Sequence, residues 1–218
     1  MNNHDALDLP LRHEALQPRS PSAHPPLLML LHGYGSNEED LLQLAPYLPD
    51  ACQIVSLRAP FMLSPGANCW YELGFTQEGI IADIPQALRA LNSLRQTYHA
   101  AIAAYSCDPA RVAVIGFSQG AGMAGMLALT EPTIRCSLLL SGLNPFAMLP
   151  AEDIQVLHPE VLVVHGTYDE VVPVSTGHST RDAFVRHGGR VQYAEYPIGH
   201  TIDLKVIAAV TNYLGATL

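Results

Sequence analysis

The chain has 218 residues, about half of them hydrophobic, which is enough for one sizeable core and short of two ordinary domains. A formal charge of −9 with no Lys/Arg cluster speaks against a nucleic-acid backbone or an anionic membrane surface as the main partner and favours a neutral substrate. No apolar run approaches a membrane span, Asp5 and Asp8 stand where a leader would be basic and apolar, and Cys52, Cys69, Cys107 and Cys136 show neither zinc nor disulfide-framework spacing, so a reduced, cytoplasmic protein without stable membrane insertion is expected.

Residues 1–26, rich in Pro and His, read as a loose N-terminal segment of little function, with one edge strand near Leu11 to Leu16. From Leu27 onward, short continuously apolar runs alternate with longer amphipathic stretches. That alternation is the sequence form of a mostly parallel sheet buried by helices on both faces, so residues 27–218 are expected to form one α/β domain. Strands are predicted at Leu27 to Leu31, Gln53 to Leu57, Arg111 to Ile115, Cys136 to Leu140, Glu160 to Val164 and Arg190 to Tyr196. Helices are predicted at Glu38 to Leu48, Ile80 to Tyr105, Gln119 to Leu129, Thr176 to His187 and Thr201 to Leu214, with Pro109 and Pro132 marking two of the breaks. The stripe Ile84, Ala87, Leu88, Leu91 and Leu94 is a core-facing helix surface.

The chemistry concentrates at Gly116-Phe-Ser-Gln-Gly120, which has the G-x-S-x-G form and lies between the apolar run Val112 to Ile115 and a Gly/Ala/Met-rich helical stretch. A serine on a sharp, strained strand-to-helix turn needs neighbours almost free of side chain two positions away on each side, and Gly116 and Gly120 meet that need. The pentapeptide arises by chance in roughly one chain of this size in fifteen, so its strand-turn-helix context carries the argument.

A serine hydroxyl is a weak nucleophile; it needs a general base in hydrogen-bond reach, and the base needs a carboxylate to fix its tautomer. In the order Ser, Asp, His, Asp169 follows the predicted strand Glu160 to Val164 and His200 follows the last strand, which makes Ser118, Asp169 and His200 the candidate catalytic triad. Glu170 ranks second to Asp169 as the acid. His32 and His165 also follow apolar strands, but each precedes a glycine and reads as part of a structural turn; His158, His178 and His187 have no nameable partner. The fragment Leu31-His-Gly-Tyr-Gly-Ser36 lies where a second oxyanion-hole N–H is expected, so the candidate donors are the backbone amides of Tyr34 and Gln119. One such donor is typically worth about 3 kcal/mol, because it meets charge that appears only in the transition state.

These residues together resemble the phospholipase/carboxylesterase family of α/β-hydrolases, which includes the acyl-protein thioesterases. The resemblance runs from about Leu28 to His200 through Leu31-His-Gly-Tyr-Gly, Trp70-Tyr-Glu, Gly116-Phe-Ser-Gln-Gly with Met123-Ala124, Leu140-Ser-Gly, His165-Gly-Thr-Tyr-Asp-Glu-Val-Val-Pro and Gly199-His200. It implies an α/β-hydrolase fold and a cofactor-free, metal-free hydrolase of carboxylic esters or thioesters, with Ser118, Asp169 and His200 at the family's triad positions and Tyr34 and Gln119 at its oxyanion positions. Trp70 falls where the family keeps an aromatic near the acyl pocket. Tyr34 in place of a common Leu, Glu72 in place of a common Asp and Ala121 in place of a common second Gly leave the triad positions untouched and bear on the substrate.

The substrate is expected to be a small-molecule or acylated ester, with no nucleic-acid partner and a homodimer left open. Gly66 to Phe75, with Cys69, Trp70, Tyr71, Leu73 and Phe75, is a candidate wall of the acyl site or else packing under a loop. Gly142 to Pro159, where relatives of this fold insert a lid, is short, so no large lid domain and a shallow, open site are expected. Alternatives are an α/β-hydrolase acting on a lactone or peptide bond, and a catalytically silent binding protein of the same fold.

Overall fold

The computed structural model describes residues 9–76, 79–155 and 158–218. A seven-stranded sheet in the order β1-β3-β2-β8-β9-β10-β11 forms its centre: β1 (His13–Leu16), β2 (Leu27–Leu31), β3 (Gln53–Leu57), β8 (Val112–Phe117), β9 (Cys136–Leu140), β10 (Glu160–Gly166) and β11 (Arg190–Tyr196). All neighbours are parallel except β1, which pairs antiparallel with β3. This is the α/β-hydrolase arrangement, a mostly parallel sheet covered on both faces.

The continuous apolar runs are what a doubly covered sheet requires, because successive side chains of one strand enter opposite cores. Leu27, Met29 and Leu31 of β2 pack with α1 (Ile84–Ala104), α2 (Gln119–Thr130) and Phe184 of α3 (Val174–Arg186). Leu28 and Leu30 point the other way, toward Leu41 and Leu44 of a 3-10 helix (Leu41–Tyr47) and Val206, Val210 and Leu214 of α4 (Leu204–Thr217).

Local expectations differ from the structure in several places, two of them instructive. The helix expected from Ile80 starts at Ile84, because Asp83 caps it by accepting from Gln86 N–H at 2.9 Å and Pro85 occupies its first turn. The residues before the cap, β7 (Gly79–Ala82), pair with β6 (Leu73–Thr76), and a second hairpin joins β4 (Phe61–Ser64) to β5 (Ala67–Cys69). The helix expected over Glu38 to Leu48 is a shorter 3-10 segment that contains Pro46, whose ring cannot donate to an α-helical ladder.

The N-terminal segment is not loose from Leu9 onward. Leu9 and Leu11 are buried, β1 extends the sheet, and Arg19 donates to the carbonyls of Ala45 and Leu48 at 2.8 and 2.6 Å. Its apolar content is small, but it is anchored by polar contacts that hydrophobic periodicity does not reveal. Among the described residues, no helix is long and apolar enough to cross a membrane.

Candidate active site

Ser118 sits between β8 and α2 with φ 55° and ψ −116°, a backbone conformation unfavourable for a residue with a Cβ. Its own N–H is held by the Leu140 carbonyl at 2.8 Å. The two flanking glycines explain how the turn closes: a Cβ at Gly116 would lie 2.2 Å from the Gly120 carbonyl oxygen, a separation no side chain tolerates.

Asp169 follows β10, and His200 lies on the loop after β11, both at the carboxyl end of the sheet as Ser118 is. His200 Nδ1–H donates to Asp169 Oδ2 at 2.7 Å, and Ser118 Oγ lies 2.9 Å from His200 Nε2, so the three side chains stand in one hydrogen-bonded line. Asp169 is buried, and its other oxygen accepts from Val171 and Val172 N–H at 2.9 and 2.8 Å, which fixes the carboxylate plane. Glu170 is exposed and has no place in this line. Phe117 backs the imidazole, with ring centroids 4.8 Å apart.

The oxyanion candidates converge on the same serine. A Cβ on Gly33 would lie 3.4 Å from Ser118 Cβ, so the loop carrying Tyr34 passes directly over Ser118. Gln119 N–H is the first amide of α2, where helical geometry offers no acceptor. Among the described residues, neither Tyr34 N–H nor Gln119 N–H has an acceptor. The Tyr34 side chain is exposed.

His32 and His165 are structural, as their positions before glycine suggest. His32 is buried and neutral: Nδ1–H donates to Gly33 O at 2.7 Å and Nε2 accepts from Ala59 N–H at 3.0 Å. Burial lowers its pKa below the ordinary value. His165 is buried behind Asp169 and donates from Nε2 to Val172 O at 2.8 Å. Of the remaining candidates, His178 meets Glu195, His158 meets the Gly188 carbonyl and His187 stacks on Phe146, all away from Ser118.

Of the two readings of Gly66 to Phe75, a wall of the acyl site or packing under a loop, Trp70 and Tyr71 follow the second. Trp70 and Tyr71 are both fully buried, and Trp70 directs its indole N–H to the His32 carbonyl at 2.9 Å, so the pair supports the loops beneath the site instead of presenting an open wall. The Trp70 indole N–H is satisfied internally, whereas the buried Tyr71 hydroxyl has no hydrogen-bond partner among the described residues. Leu73 is half-buried and lines a separate shallow hollow with Gly74, Ile81 and Pro85. The side chain of Phe75 lies outside the described residues.

A cleft of mixed polar and apolar lining beside the imidazole was not anticipated; Asp40, Gln43 and Thr201 contribute its polar part. The cleft, of about 430 Å³, opens between the 3-10 helix and the His200 loop and is also lined by Leu41, Leu44, Tyr47, Phe117, His200 and Ile202. The described part of Gly142 to Pro159 holds only two single-turn 3-10 segments, Pro145–Ala147 and Ala151–Asp153, and no large lid. Among the described residues, no group of three or more His, Cys, Asp or Glu side chains is arranged to hold a metal ion.

Residues 13–218 match the family model described as phospholipase/carboxylesterase. Among solved structures, the chain is similar to esterase PE8 at 28% identity, covering 95% of this chain and 99% of that one with a TM-score of 0.85. It also resembles the Bacillus cereus carboxylesterase (20% identity, 98% and 96% covered, TM-score 0.81) and a carboxylesterase from Mesorhizobium loti (22% identity, 95% and 96% covered, TM-score 0.81). At those last two identities the likeness speaks for the fold.

Proposed function

The chain belongs to the phospholipase/carboxylesterase family of hydrolases, and from that membership together with the triad geometry we propose that it hydrolyses carboxylic esters or thioesters through an acyl-enzyme on Ser118. The observation that carries the reading is the continuous line from Ser118 Oγ through His200 to Asp169, with contacts of 2.9 and 2.7 Å.

In this mechanism, Ser118 Oγ attacks the acyl carbonyl while its proton moves to His200 Nε2. Asp169 accepts from Nδ1–H and stabilises the imidazolium, and the carbonyl oxygen, now an oxyanion, receives hydrogen bonds from Tyr34 and Gln119 N–H. Collapse expels the alcohol or thiol, which takes the proton from His200. Water then attacks the acyl-enzyme, gives a proton to the same nitrogen, and the carboxylic acid leaves with Ser118 restored. The cleft beside the imidazole, lined by apolar Leu41, Leu44 and Ile202 and by polar Asp40, Gln43 and Thr201, could take part of a substrate flanking the scissile bond.

The test is hydrolysis of a p-nitrophenyl ester series, alongside a serine-directed phosphonate probe detected by intact mass. Turnover, one adduct on Ser118, and loss of both in Ser118→Ala are expected. Well-folded protein that neither turns over nor labels would overturn the reading.

A further inference from the structure

The two amides assigned to the oxyanion hole come from different places in the chain, yet one short segment reaches both. On the first side, Asn68 brackets the Tyr34 loop: Gly35 N–H donates to Asn68 O at 2.9 Å and Asn68 N–H donates to Ser36 O at 2.8 Å. Two residues on, the Trp70 indole N–H holds the His32 carbonyl at 2.9 Å, so the loop is pinned both before and after Tyr34. On the second side, Trp70 main-chain N–H donates to Gln119 Oε1 at 2.8 Å, and Gln119 Nε2 donates to the Tyr71 carbonyl at 2.6 Å.

We propose that Asn68 to Tyr71 is a strap that sets the spacing between the two oxyanion donors, with the Gln119 side-chain amide and the Trp70 indole N–H as its positioning groups. This rests on the acyl-enzyme reading above. A primary amide carries one acceptor and donors side by side, which is what the N–H of one residue and the C=O of the next require. Gln119, Trp70 and Tyr71 are all buried, so water cannot replace a lost bond, and a broken bond leaves a polar group unpaired. Oxyanion stabilisation depends on donors being held near 3 Å from an atom that carries charge only transiently, so a small shift of either amide acts on the rate and not on substrate binding. The same residue thus contributes twice: its main chain is the donor, and its side chain fixes where that donor points.

Three variants separate positioning from packing. Gln119→Met keeps the side-chain length and removes both bonds; Gln119→Glu keeps the acceptor and replaces the donor with a carboxylate facing the Tyr71 carbonyl; Trp70→Phe keeps a ring and removes the indole N–H. For each, phosphonate titration counts working sites, p-nitrophenyl ester kinetics give kcat and KM, and a trifluoromethyl ketone, whose adduct places an oxyanion in the hole, gives an inhibition constant.

Gln119→Met is expected to lower kcat per titrated site by about 10- to 100-fold, less than outright loss of a donor, with KM nearly unchanged and the inhibition constant rising by the same factor. Gln119→Glu shows a similar defect at neutral pH, and its activity relative to the native protein recovers as the pH is lowered, because the protonated carboxyl can donate to the Tyr71 carbonyl again. Trp70→Phe gives a smaller loss of the same kind. Fewer titratable sites with native kcat per site and native inhibitor affinity would reduce these contacts to packing and overturn the strap, as would native behaviour throughout. A native protein that neither titrates nor turns over removes the acyl-enzyme reading itself, and the strap with it.

Discussion

Gly120 lies so close to the end of β2 that a Cβ on it would stand 2.1 Å from the Leu31 carbonyl oxygen and 2.6 Å from that of His32. The obstructing atoms are backbone at the end of a central, doubly covered strand and just beyond it, and cannot swing aside as a flexible side chain could. Gly120→Ala is therefore expected to cost about 3 kcal/mol, the upper end for overpacking, and to displace Ser118 from His200. Urea unfolding and phosphonate labelling check this; an unchanged midpoint with full labelling would mean that the strand and helix separate easily.

The turn at Ser118 could be read from the sequence because its steric demand fixes residue type at fixed offsets, and Gly116 and Gly120 have no substitute there. The central strands were readable for a similar reason: β2, β3, β9 and β11 follow the predicted bounds, since two-sided burial imposes unbroken apolar runs or, at the edge, β-branched and aromatic residues. The β4–β5 and β6–β7 hairpins were not, because strands of three or four residues with exposed side chains such as Met62 and Ile81 carry no burial pattern. Trp70 and Tyr71 could be read as a pocket wall or as packing, because composition does not distinguish a buried aromatic from a lining one. The cleft joining Leu44 to Ile202 unites segments about 160 residues apart, a proximity only tertiary packing creates.

Glu38 follows the Tyr34 loop and is buried against cations. Its carboxylate accepts from Arg58 Nε and, at 2.7 Å, from Arg58 Nη2, and Arg12 Nε lies 3.1 Å away. Burial pushes the Glu38 carboxyl up, but the Arg58 contacts, a backbone hydrogen bond and the Arg12 charge together hold it below its ordinary 4.5. Arg58→Met strands a buried charge and is expected to cost about 3 kcal/mol, whereas Arg12, largely exposed, contributes much less. A depressed carboxyl stabilises the fold above 4.5 and loses that contribution as pH falls through its lower folded value, so Arg58→Met should also flatten the acid limb of stability against pH. Denaturant titrations from pH 3 to 7 would show both effects.

His32 predicts a second pH dependence at a higher range. Burial, the dominant influence, holds its pKa below the ordinary 6.5, and Nε2 must stay unprotonated to accept from Ala59 N–H. Below 6.5 the unfolded chain takes up a proton that the folded imidazole refuses, so stability falls on acidification until the folded value is reached. His32→Gln, which does not titrate, should lose about 1 kcal/mol at pH 7 through poorer hydrogen bonds and show a shallower slope between pH 5 and 6.5. Parallel slopes for the two proteins would assign the dependence to other histidines.

Asp169 supplies the sharpest test of the proposed roles in the triad. Its Oδ1 already accepts from two backbone amides, Val171 and Val172, so an asparagine at this position would keep its carbonyl oxygen there and turn its NH2 toward His200. That NH2 meets Nδ1, which must then become an acceptor, and the ring proton moves to Nε2, facing Ser118 Oγ. An imidazole protonated on Nε2 cannot take the serine proton. Asp169→Asn is therefore expected to lower kcat by about 10⁴-fold while leaving the fold and KM close to native, an electrostatic and tautomeric defect without a steric one. Glu170→Gln, one residue along and exposed, should stay within about twofold of native, as surface changes usually do. Esterase assays on the two variants, with circular dichroism to confirm the fold, separate the neighbouring acids: a large loss from Glu170→Gln and a small one from Asp169→Asn would reverse the assignment.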